Sequence, residues 1–131
     1  MSKLFVFLWM LFDHVFDDYK LQGIMANMKQ KIWWKENAPE ESYKKYKHDY
    51  IAALIMHSIS WSFMVMLPIA VYLKFDIDTV FGVVFACNVL IHALVDDLKA
   101  NKLRINLIQD QAIHIVQIII SFVILVLLNN I

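Results

Sequence analysis

Four long apolar runs alternate with polar connections along this chain. A helix rising 1.5 Å per residue needs about 20 residues to cross a hydrocarbon layer. The runs therefore predict four membrane spans, at about residues 3–22, 50–73, 79–98 and 105–128. The first and third are weaker in hydropathy because carboxylates sit at their ends. Pro68 predicts a kink near the far end of the second. Between spans one and two, residues 23–49 are polar. There Ile24 or Met25, Met28 and Ile32 recur at helical spacing, Lys29, Lys31 and Lys35 fall elsewhere, and Trp33 and Trp34 follow. The pattern suits a short helix lying at headgroup depth, or equally a helical hairpin packed on the bundle end. Asn37, Pro39, Glu40 and Glu41 read as a helix start that can run unbroken into the second span. The expected fold is all-α, one polytopic domain: a four-transmembrane-helix bundle with an interfacial helical segment between spans one and two.

Composition supports a bilayer setting. The chain has 131 residues, 60% of them hydrophobic, with mean hydropathy +0.57; a soluble domain is about 45–50% apolar. Twelve basic residues balance twelve acidic ones, which argues against a nucleic-acid partner held by bulk charge. The single cysteine, Cys87, rules out an intrachain disulfide or a cysteine-based zinc site. It is expected to pack as a small hydrophobe. The N-terminal apolar run passes into Asp13, His14, Asp17 and Asp18 with no small-residue cleavage site, so it reads as a retained helix. Lys20, Lys29, Lys31, Lys35, Lys44, Lys45, Lys47, Lys99, Lys102 and Arg104 fall on one side of the predicted topology, and Lys3 and Lys74 on the other. That bias puts connection 23–49 in the cytoplasm and both termini outside an inner membrane.

Into these runs the chain sets ionisable groups. His14 and Asp18, His92 and Asp96, and Asp110 and His114 are each four residues apart, and His57 stands in the second run. Residues four apart share a helix face. Charge within a bilayer is costly and normally faces a functional interior. With the predicted topology, all four imidazoles lie roughly 9–14 Å into the cytoplasmic half. The order of His and Asp reverses in the fourth span, as a matched depth requires. The expected centre has His14, Asp18, His57, His92, Asp96, Asp110 and His114 around a divalent metal ion. Zinc is favoured, with iron, manganese or nickel as alternatives. Asp18, Asp96 and Asp110 are candidate acids or bases, and Lys99 a candidate for offsetting negative charge. Gln22, Asn88 and Gln111 keep them polar company. Asp13, Asp17 and Asp97 are expected at the interface or behind the ligands, and His48 in solvent. Lys99, Lys102 and Arg104 would ring the cytoplasmic mouth, where a phosphate could sit.

The block from His14 to Gln22 resembles the H-x-x-x-D-x-x-L-Q signature of the domain-of-unknown-function 3307 family of small bacterial and phage membrane proteins. The resemblance continues through His57, the block from Ile91 to Lys99, and Asp110, Gln111 and His114, and so covers nearly the whole chain. The Lys-rich connection looks like an addition to the shortest family pattern. A weaker likeness, to membrane-embedded metal-dependent hydrolases, rests on the His/Asp-rich helices.

Three functions follow as expectations. The first is a metal-dependent hydrolase acting on a lipid-like or phosphate-bearing substrate from the cytoplasmic leaflet. The second is a divalent-cation or proton transporter or channel, for which the apolar outer halves of the spans would require a homo-oligomer. The third is a regulatory or phage-encoded interaction protein with a structural metal.

Overall fold

A computed structural model describes residues 1–128, which are helical throughout apart from short connections. Helix α1 (Lys3–Phe16) continues as a wider π-helical turn, Asp17–Leu21. Three short helices follow: α2 (Met25–Met28), α3 (Lys31–Asn37) and α4 (Tyr43–Tyr46). Long helices α5 (Asp49–Tyr72), α6 (Thr79–Ala100) and α7 (Leu107–Phe122, running on as π turns over Val123–Leu128) complete the chain.

Among the described residues three helices, not the expected four, are long and apolar enough to cross a membrane: α5, α6 and α7 with its continuation. The first run falls short because α1 proper has 14 residues, about 21 Å of rise. Its remaining turn holds Asp17, Asp18 and Lys20. One further expectation is corrected. The second span does not start at Pro39, because the chain breaks at Lys47 and His48 before α5 begins. Of the two readings of the 24–32 segment, the structure has the two-helix one, because Gln30 is extended (φ −99°, ψ 127°).

The ends of the long helices are written in the sequence. The Ser2 hydroxyl accepts the Phe5 N–H at 3.2 Å, and the Asp78 carboxylate accepts that of Phe81 at 2.8 Å. Asn106 and Gln109 form a reciprocal capping box, satisfying N–H groups that α7 would otherwise leave bare. Gly23, at φ 48°, turns the chain out of the π turn.

The bundle interior has two zones. One is apolar: Val6, Met10, Val65, Met66, Ile69, Ile118, Leu125 and Val126 are buried around Trp61. The other is polar, with Asp17, Asp18, His57, His92, Asp96, Asp110 and His114 all buried. Outward faces are the reverse. Leu4, Phe12, Met56, Leu90 and Leu94 are each more than 60% exposed. Cys87 is exposed too, against the expectation of a packed thiol. Charge inside and hydrocarbon outside is the arrangement a bilayer favours.

Candidate metal centre

The π turn decides what the first helix offers. The Gln22 N–H bonds back to the Asp17 carbonyl, five residues earlier, at 3.1 Å. The wider turn lets two consecutive carboxylates face inward, where 3.6-residue winding would present only Asp18 with His14. His57, from α5, lies between them. Its Nε2 is 3.2 Å from Asp18 Oδ1 and its Nδ1 is 3.7 Å from Asp17 Oδ2. Asp17 also accepts the Ser60 hydroxyl at 2.7 Å. Asp17 thus stands behind the imidazole rather than at the interface.

From α6 come His92 and Asp96. His92 Nε2 is 3.2 Å from His57 Nε2 and 4.0 Å from Asp18 Oδ1. Asp96 Oδ2 is 3.6 Å from His57 Nε2 and 3.8 Å from His92 Nε2. Ligand atoms around a tetrahedral ion at about 2.0–2.1 Å stand about 3.3–3.4 Å apart. Asp18, His57 and His92 form one such buried group, and Asp96 Oδ2 occupies the neighbouring corner. His92, Asp96 and His114 form a second group. The donor set, neutral nitrogen with carboxylate oxygen, suits zinc, iron or manganese.

Hydrogen bonds fix which atoms point inward. The Trp61 indole N–H donates to His14 Nδ1 at 2.8 Å. Indole can only donate, so His14 must carry its proton on Nε2, which meets Gln111 Oε1 at 3.1 Å. The Gln111 amide then donates to Asp18 Oδ2 at 3.0 Å and Asp110 Oδ2 at 3.1 Å. Both ring nitrogens of His14 are therefore engaged, and it joins neither ligand group. A second relay runs behind His114. Gln117 Nε2 donates to the Asn88 carbonyl and side-chain oxygens, which turns Gln117 Oε1 toward His114 Nδ1 at 3.0 Å. The Asn88 amide donates to the Ser121 hydroxyl at 2.7 Å.

Two lysines close the cluster. Lys99 Nζ lies 2.5 Å from Asp110 Oδ2, with a third of its side chain exposed at the rim. Lys29 Nζ lies 2.6 Å from Asp96 Oδ2 and is buried. The 27–31 loop is held for this contact by Asn101, which donates to the Lys29 carbonyl at 3.0 Å and accepts the Lys31 N–H at 2.7 Å. Trp34 donates to the Met28 carbonyl at 2.6 Å. Four carboxylates, those of Asp17, Asp18, Asp96 and Asp110, thus face two ammonium groups among the described residues. The excess of negative charge favours a divalent cation.

All seven expected ligands and Lys99 are drawn into this one polar zone. Asp97 stays near the surface, paired with Lys102 at 3.0 Å. Sequence reasoning missed three contributors. Trp61 and Gln117 carried a signal, since each follows a predicted ligand by one turn on the same face. Lys29 carried none, because its approach depends on the break at Gln30.

No known family, curated protein or solved structure matches this chain. The family resemblance therefore rests on the His-x-x-x-Asp blocks themselves.

Proposed function

We propose that this chain is an integral membrane protein working as a metal-dependent hydrolase, with a metal held by Asp18, His57 and His92. The observation that carries the proposal is the triangle of Asp18 Oδ1, His57 Nε2 and His92 Nε2, with edges of 3.2, 3.2 and 4.0 Å. A metal held by protein ligands that leave a position to water is the catalytic pattern. An ion there would supply a water that ionises near neutral pH. Asp96 Oδ2, 3.6 Å from His57 Nε2 and 3.8 Å from His92 Nε2, would hold that ion from the neighbouring corner. Lys99, at the rim, meets an anionic substrate such as a phosphoester headgroup. The fourth helix of the proposed bundle is α1, whose outer face of Leu4, Phe5, Leu8 and Phe12 is as lipid-like as those of its neighbours. The basic bias places α2 to α4 in the cytoplasm and the termini outside. Membership of the domain-of-unknown-function 3307 family is part of this reading.

Catalysis is favoured over transit by the apolar zone. Val65, Met66, Ile69, Ile118 and Leu125 are buried in the bundle beyond the cluster, and past Ser62, Asn88, Gln117 and Ser121 the described interior is apolar, so a monomer offers an ion no continuous polar way out. The test is elemental analysis of detergent-purified protein, then hydrolysis of phosphoester and amide lipid substrates with added zinc or manganese. Bound metal and an activity lost in His92→Ala support the proposal. Protein that gains neither metal nor activity refutes it. Metal flux in proteoliposomes without hydrolysis would replace it with the transport reading.

A further inference from the structure

We infer that the centre takes two divalent ions rather than one, the second held by Asp110, His114 and the free oxygen of Asp96. This rests on the metal reading above and adds a site to it.

The argument comes from atoms left without partners. His114 Nε2 and Asp110 Oδ1 are both buried and both lack a hydrogen bond. They lie 3.4 Å apart, and His114 Nε2 is 3.6 Å from Asp96 Oδ1. His114 and Asp110 are each fully buried, so bulk solvent does not reach them. Their outward atoms are fixed. His114 Nδ1 is tied to Gln117 Oε1, and Asp110 Oδ2 to Lys99 and Gln111. The Gln117 relay puts a proton on His114 Nδ1, so in the neutral ring the Nε2 lone pair faces two carboxylate oxygens. Three acceptors converging at these distances repel one another unless a cation stands between them.

Geometry separates this site from the first. Asp96 turns Oδ2 toward His57 and His92, and Oδ1 toward His114. One carboxylate therefore serves both positions, as bridging carboxylates do in two-metal sites, where the ions stand about 3.5–4 Å apart. The His92 and His114 rings stack with centroids 4.0 Å apart and planes inclined by 25°, which sets the two sites side by side. A pair of ions would also clamp both oxygens of a scissile phosphoester, making that substrate class the best fit.

The experiment loads full-length protein with manganese in detergent, measuring metal by elemental analysis and spin coupling by electron paramagnetic resonance. Two equivalents with an exchange-coupled signal are expected. His114→Gln should drop the protein to one equivalent with the hyperfine pattern of an isolated ion, and His57→Gln should do the same. One equivalent in the unmodified protein, lost in His57→Gln but kept in His114→Gln, overturns the second site while leaving the first. No metal at all overturns both. Should His114→Gln fail to fold, the coupling signal of the unmodified protein decides alone.

Discussion

Lys29, on a loop between two short helices, places its ammonium 2.6 Å from a carboxylate oxygen of Asp96 deep in the bundle. This contact ties the connection 23–49 to the candidate centre. Removing one partner of a buried ion pair costs about 3–5 kcal/mol, because the other is left buried and uncompensated. Lys29→Met should therefore lower stability by about that much in protein stripped with chelator. The loss should shrink when metal is restored, since an ion beside Asp96 replaces the missing positive charge. Thermal unfolding in detergent, with and without chelator, checks both. An equal loss in the two states would mean Asp96 feels no metal.

Trp61 supports the candidate centre from behind His14 rather than as one of its ligand groups. Its indole N–H starts the relay that ends on Asp18. Outer partners that orient ligands are worth about 10–100-fold in metal affinity. Trp61→Phe keeps the ring's packing but removes the donor, freeing His14 to change its protonated nitrogen and Gln111 to flip. The expected outcome is a metal affinity about 10–100-fold weaker, read by competition with a chromogenic chelator.

Much of this was legible in the sequence, and the reason is spacing. Pairs four apart on three helices had to point one way, and lipid is the least tolerant direction. That logic located Asp18, His92, Asp96, Asp110 and His114, whereas His57, with no partner four residues away, followed only from its depth in the second run. It failed where backbone geometry left the regular α-helix. The π turn that brings Asp17 inward and the break that delivers Lys29 leave no periodic trace. His14 shows another limit. Its position was predictable, but its engagement by Trp61 and Gln111 depends on side chains from two other helices, and hydropathy does not encode who bonds whom.

Metal binding should weaken on acidification, with a computable sign. Imidazole must be deprotonated to ligate, so protons and metal compete. On the acid side, each ligating histidine adds up to about one decade of lost affinity per pH unit. His57 and His92 together predict a limiting slope near two at the first site, and His114 alone a slope near one at the second. Chelator competition at a series of pH values measures the slope. A flat profile would exclude imidazole ligation.

Asn101 is the latch of the 23–49 connection. It bonds the Lys29 carbonyl, the Lys31 N–H and the Asp97 carboxylate from the end of α6. Asn101→Ala should cost about 1–3 kcal/mol locally, the usual figure for leaving such groups unpaired. Amide exchange should accelerate over residues 24–37 while that of α5 and α7 stays slow. Acceleration spread evenly over all helices would show that the segment does not open as a separate unit.

Cys87 gives a direct reading of where the bilayer lies. It is exposed on the outer face of α6 and is the chain's sole cysteine. It lies eight residues inside the helix that starts at Thr79, about 12 Å along its axis. In aqueous solution such a thiol would react readily. Within a hydrocarbon layer it is shielded from a water-soluble reagent. A membrane-impermeant maleimide should therefore leave Cys87 unlabelled in sealed inner-membrane vesicles of either orientation, and label it after denaturation. In a Cys87→Ser background, a cysteine at Lys102 should be labelled from the cytoplasmic face, and one at Lys74 from the opposite face. Rapid labelling of Cys87 in intact vesicles would place α6 outside the bilayer and remove the reason for reading the buried carboxylates as intramembrane.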